Sequence, residues 1–149
     1  MKIHVETKID RKIEDVWQAI IDIENSVDII SGIQELEVLE RPESGMVGFK
    51  WKETRIMFGK SATETMWITD LKENEYYNVR AESHGAIYKS IISVVEEGDQ
   101  TILRMEFGGE AQTFISKVMS ALMMPFFKGA TIKALQKDMD DIKSSLETT

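Results

Sequence analysis

Residues 112–147 read QTFISKVMSALMMPFFKGATIKALQKDMDDIKSSLE. Ile115, Met119, Leu122 and Phe126 step by four and three, and Leu135, Met139, Ile142 and Leu146 resume the rhythm, which is the stripe of an amphipathic helix. Laid straight, such a helix would run about 50 Å at about 1.5 Å per residue, whereas a domain of this size has a radius of gyration of about 15 Å. Pro125 lacks the N–H that would bond the Ala121 carbonyl, and Gly129 lowers helix propensity one turn later, so a kink or short break is expected between them. The preceding VMSALMMPFF is apolar on nearly every side, and Met119, Met123 and Met124 carry flexible, polarizable side chains. This half-helix reads either as plain core packing or as the wall or gate of a cavity.

The chain has 149 residues, 42% hydrophobic and 30% charged, enough to bury a core in one domain spanning 1–149. Its net charge of -8, with Lys and Arg scattered among the acids, opposes nucleic-acid binding. It has no cysteine, hence neither disulfides nor a thiolate site. The two histidines lack metal-ligand spacing, and phosphate- and dinucleotide-binding glycine patterns are missing, so no metal or cofactor is expected. MKIHVETK is no leader and no apolar run spans a bilayer, so a cytoplasmic protein without stable membrane insertion, monomer or homodimer, is expected.

Outward from the helix, residues 2–9 alternate as a strand, with Ile3, Val5 and Ile9 inward and His4 toward solvent. Asp10 is expected to cap a helix whose stripe is Ile13, Val16, Trp17 and Ile20. A second helical piece near Ser26–Ser31 is expected to end at a left-handed Gly32. Residues 33–110 change to period two, with turn signals at Pro42–Gly45, Gly59-Lys60, Glu73-Asn74, His84-Gly85 and Gly98-Asp99, an antiparallel meander of about six strands. Phe107-Gly108-Gly109 reads as the last strand ending before the long helix.

Taking Gly59-Lys60 as a two-residue loop makes Phe58 face Ser61 and Arg55 face Glu64. One face then collects Val47, Phe49, Trp51, Glu53, Arg55, Met57, Ala62, Glu64, Met66 and Ile68. The other hairpins add Tyr77, Val79, Ala81, Tyr88, Ser90, Ile92, Leu103, Met105 and Phe107. Glu53, Arg55 and Glu64 are anomalous on so apolar a wall. They form either a half-exposed salt bridge or a polar anchor inside a pocket, where partial burial raises one carboxyl toward proton-transfer range. Tyr77 and Tyr88 add phenolic groups, and His84 is a turn residue with a neutral-range pKa.

The order strand, two short helices, six-stranded meander and closing helix resembles the START-like superfamily of polyketide cyclases and lipid-transfer domains. The resemblance is carried by IDRKIEDVWQAIIDIE (9–24), VGFKWKETRIMFGKSATETMWITD (47–70), ESHGAIYKS (82–90) and KGATIKALQKDMDDIK (128–143). It implies an α+β helix-grip fold: a curved antiparallel sheet of about seven strands around a long, Pro-kinked C-terminal helix, with a cavity for an apolar molecule between them. It also implies that the Gly59 and His84 turns share one end of the sheet, near the cavity mouth. No acid, base or nucleophile of a characterised relative maps onto particular positions here.

The leading expectation is therefore binding of a small apolar or amphipathic ligand of lipid, polyketide or aromatic type. Phe49, Trp51, Met66, Ile92, Met105 and Phe107 would form the sheet wall and Met119, Leu122, Met123 and Phe126 the helix wall, with Tyr77 and Tyr88 beside them. Arg55, with Glu53 and Glu64, would anchor a polar group, an acidic one favouring Arg55. The alternatives are a cyclase, dehydratase or hydrolase using Glu53 or Glu64 with Tyr88 or His84, and a protein-interaction module meeting its partner through Phe127 and the apolar half-helix.

Overall fold

The computed structural model describes residues 2–57, 59–83, 85–111 and 114–148, with the side chains of Met57, Ser83 and residues 111–127 outside the description. The alternating residues of the first stretch form β1 (Lys2–Ile9), and α1 (Ile13–Ile21) and a 3-10 helix (Ile23–Asp28) carry the chain to β2 (Ile33–Glu40). The meander follows as β3 (Lys50–Met57), β4 (Lys60–Lys72), β5 (Tyr76–Ser83), β6 (Ala86–Glu97) and β7 (Gln100–Ala111). All seven strands form one antiparallel sheet in the order β1-β7-β6-β5-β4-β3-β2, and α2 (Phe114–Glu147) follows it. The connection through α1 therefore crosses from one sheet edge to the other.

Burial follows the sequence periodicity. Ile3, Val5 and Ile9 of β1 pack with Val16, Trp17 and Ile20 of α1, and Met139 of α2 joins them. His4 is exposed, and Lys50 lies over the Trp67 ring at 5.7 Å on the sheet's outer face. The turns after β3 and β5 lie at the same end of the sheet, since Met57 pairs with Lys60 and Ser83 with Ala86 across the antiparallel β4–β5 pair.

Several expectations are corrected. The two-residue loop expected at Gly59-Lys60 is shifted, because Met57 pairs with Lys60; Gly59 takes φ +76° just before β4, and Phe58 lies outside the described residues. Glu64 consequently faces Glu53, and Arg55 faces Ala62. Asp10 does not cap α1: the chain bends at Asp10 and Arg11, Thr101 Oγ1 donates to the Arg11 carbonyl at 2.8 Å, and the helix starts after an extended Lys12 that has no side-chain cap. Gly32 is not left-handed; a Cβ there would lie 3.2 Å from Arg55 Nη1, so close packing accounts for the glycine. Val47 is 51% exposed because the alternation starts only at Phe49, after the Gly48 turn. β7 continues through Gly108-Gly109 to Ala111, and of the kink or short break expected near Pro125 the break does not occur, since α2 runs through it without interruption.

The C-terminal half of α2 is clasped from two sides. Lys143 Nζ donates to the Lys8 carbonyl at 2.6 Å, and the Asp10 N–H donates to Glu147 Oε2 at 2.8 Å. On the other side Asp141 Oδ2 accepts from both the N–H and the hydroxyl of Ser31 at 2.9 Å, and Lys137 also bonds Asp141. Burial pushes the Asp141 carboxyl up, but the bonds from Lys137 and Ser31 outweigh it and hold the carboxyl below its ordinary value of 3.8. A folded-state pKa below the unfolded one means the contribution is complete above 3.8 and is lost as pH falls through the lowered value. Asp141→Ala is thus expected to lower the urea midpoint at neutral pH, with the gap to wild type closing in acid; an equal gap at every pH would contradict the clasp.

Candidate functional site

Between the sheet and the second half of α2 lies a cavity of about 400 Å³. Its floor is the inner face of β3 to β7, with Trp51, Met66, Val79, Ile92, Leu103, Met105 and Phe107. Thr131, Leu135, Met139, Ile142 and Leu146 of α2 cover it. The remaining wall comes from the segment after β1, with Ile20, Ile23, Ser26, Ile29 and Ile30. Two apolar surfaces thus meet incompletely, and three of the four charged side chains among the described lining residues are gathered at one place.

That place is Arg55. Its Nε donates to Glu53 Oε2 at 2.7 Å, and its Nη1 meets both oxygens of Asp138 on α2, at 3.0 and 2.9 Å. The side chains of Arg55, Glu53 and Asp138 are 22%, 12% and 5% exposed, so the three charges are largely withdrawn from water together. Burial opposes the guanidinium charge, but Glu53 and Asp138 outweigh it and raise the Arg55 pKa further. For Asp138 the balance reverses: burial, more than the attraction of Arg55, decides, and its carboxyl is raised above the ordinary range. Trp51 Nε1 donates to the other Glu53 oxygen at 3.4 Å. Arg55, expected as an anchor for an acidic ligand, has its Nε and Nη1 bonded to two carboxylates of its own chain.

Glu64 lies opposite Glu53 and lines the cavity, yet its Oε2 is buried with no hydrogen-bond partner. The two tyrosines differ. Tyr77 donates its hydroxyl to the Ile20 carbonyl at 3.1 Å and meets Trp17 edge-on at 6.1 Å, tying α1 to the sheet; burial and then Glu53 push its pKa up. Tyr88 stacks on Phe107 at 5.7 Å and 13°, and burial and then the charge of Glu64 raise its pKa. A Cβ on Gly109 would come within 2.9 Å of the Tyr88 ring, so that glycine makes room for the stack.

The structure brings Trp51, Glu53, Arg55, Glu64, Met66, Tyr77, Tyr88, Ile92, Met105 and Phe107 to one cavity. Phe49 is buried but packs beside Trp51 at 5.9 Å, beneath the Arg41 guanidinium, and is not among the lining residues. His84 and the side chains of Met119, Leu122, Met123, Phe126 and Phe127 lie outside the described residues. Sequence reasoning passed over Asp138 and the wall from Ala19 to Ile30. Asp138 was findable: it is three residues after Leu135 and four before Ile142, on the buried arc of the helix.

The chain belongs to the polyketide cyclase / dehydrase and lipid transport family, whose model matches residues 1–147. A search of curated proteins finds no match. Among solved structures, a START superfamily protein from Mycobacterium smegmatis is similar at 15% identity and a TM-score of 0.81, with 99% of this chain and 97% of that one covered. An aromatase/cyclase from a Streptomyces species has 13% identity and a TM-score of 0.77, covering 99% and 93%. Norcoclaurine synthase from Thalictrum flavum, in complex with dopamine and hydroxybenzaldehyde, has 17% identity and a TM-score of 0.72, covering 99% and 87%. At such identities the likeness establishes the fold, the helix-grip arrangement of START-like proteins. Among the described residues no helix is long and apolar enough to cross a membrane.

Asp138→Ala removes the contact that joins α2 to Arg55 and leaves a buried guanidinium with one carboxylate. The expected cost is about 2 kcal/mol, the scale of a hydrogen bond to a charged group, measured by urea unfolding. A change within error of zero would show that the ion pair does not hold the helix.

Proposed function

We propose that residues 1–149 act as a single domain that binds or carries a small apolar or amphipathic ligand, of lipid, polyketide or aromatic type, in the cavity under α2. The observation that carries this reading is the cavity itself. Its 400 Å³ falls within the few hundred to about 1,000 Å³ usual for small-molecule sites, and its lining is apolar apart from a few grouped polar side chains. A protein selected for stability alone would fill such a space, because unfilled apolar volume costs packing energy. The family includes lipid transport in its description, and one structural relative holds two small aromatic molecules.

A second reading is turnover of cyclase, dehydratase or hydrolase type. It draws on one observation, the unpartnered Glu64 oxygen facing Glu53 in a cavity that Tyr88 also lines, an arrangement suited to proton transfer. NMR titration of both glutamates separates the readings: a pair that titrates as ordinary exposed carboxylates removes the basis for catalysis and leaves binding.

Binding is tested by native mass spectrometry of the protein purified from its own cells, where a retained small molecule is expected. Ala134 lines the cavity from α2, and Ala134→Phe would occupy it. Loss of the retained mass is expected, with affinity for a hydrophobic fluorescent probe falling on the order of tenfold or more, a change of about 1.4 kcal/mol. Unaltered probe affinity in the folded variant would place binding elsewhere.

A further inference from the structure

Of the charged side chains lining the cavity among the described residues, one is a cation and three are carboxylates. The cation, Arg55, is held by Glu53 and Asp138. Glu53 has in addition the Trp51 indole. Glu64 stands apart from this network: its Oε2 is buried and accepts from nothing, while its direct cross-strand neighbour is another carboxylate. Like charges facing each other across a sheet are unfavourable, and a buried acceptor without a donor is unfavourable again. The fold therefore has no use for a carboxylate at this position that leucine or glutamine would not serve better. A ligand donor entering the cavity satisfies the oxygen.

The surroundings narrow what carries that donor. Tyr88 and Phe107 form a flat stacked pair on the same sheet face, and Gly109 is the residue that lets the Tyr88 ring lie there. Met66, two residues along β4 from Glu64, pairs with Ala81, and Ala81 pairs with Tyr88, so Glu64 and Tyr88 share the cavity wall two strands apart. An aromatic body on this wall brings its substituent toward Glu64, whereas an anionic group would meet three carboxylates against one guanidinium whose Nε and Nη1 are already held by Glu53 and Asp138.

We propose that Glu64 is the recognition point of the cavity, accepting a hydrogen bond from a hydroxyl or ammonium group of a neutral or cationic aromatic ligand and disfavouring ligands with an anionic head. This rests on the ligand-binding reading above and reverses the preference for acids that a free Arg55 would have produced.

Isothermal titration with naphthol, naphthalene and naphthoate at neutral pH tests it, since the three share a body and differ in donor and charge. Wild type is expected to bind naphthol on the order of tenfold more tightly than naphthalene, the scale of a bond to a charged acceptor, and naphthoate more weakly than naphthalene. Glu64→Leu is expected to stay folded by circular dichroism and to bring naphthol to within about threefold of naphthalene. Should Glu64→Leu fail to fold, Glu64→Gln serves: its amide oxygen keeps part of the naphthol preference while discrimination against naphthoate shrinks. Naphthoate binding wild type as tightly as naphthol, or an unchanged naphthol-to-naphthalene ratio in the variant, overturns the role of Glu64 while leaving the cavity a binding site. Failure of all three to bind wild type overturns the ligand-binding reading and this inference with it.

Discussion

Arg55, gripped between Glu53 on its own strand and Asp138 on the closing helix, is the contact on which the arrangement of this protein depends. It spans 83 residues of sequence and fixes where the second half of α2 rests on the sheet. Charges taken this far from water are held only when paired and hydrogen-bonded, so the geometry is demanding. Gly32 belongs to the same constraint, its missing Cβ leaving room for the guanidinium. The clasp residues Lys143, Glu147 and Asp141 then hold the helix from its two flanks.

A helix held by its polar contacts need not close completely against the apolar sheet. Around Arg55 helix and sheet meet through three charged side chains, and a largely apolar space lies beside them. The side chains divide the labour accordingly. Tyr77 is consumed in fastening α1 to the sheet, and Phe49 is consumed in the core beside Trp51. Tyr88, Phe107 and Glu64 are left to face the space. Structural relatives at 13–17% identity share the framework, so differences in chemistry among them have to arise from such lining residues.

Much of this was legible in one dimension because two periodicities are strong. The stripe Leu135, Met139, Ile142 and Leu146 marked the helix face that covers the cavity, and alternation from Trp51 to Phe107 marked the sheet face beneath it. Starts and stops were less legible. Asp10 has the chemistry of a helix cap but is bypassed, because a distant threonine binds the Arg11 carbonyl and the helix starts only after Lys12. Gly32 has the position of a helix terminator but owes its identity to an arginine from another strand.

The sequence by itself determined which residues share a face, since a strand repeats every two residues and a register error of two leaves every face intact. It did not determine who stands opposite whom. Shifting the β3–β4 pairing by two residues keeps Glu53, Arg55 and Glu64 on one wall, yet exchanges an Arg55–Glu64 pair for a Glu53–Glu64 confrontation. Only the tertiary structure decided that, because the closing turn sets the register and because the partner Arg55 takes instead, Asp138, comes from a helix that no local pattern links to β3.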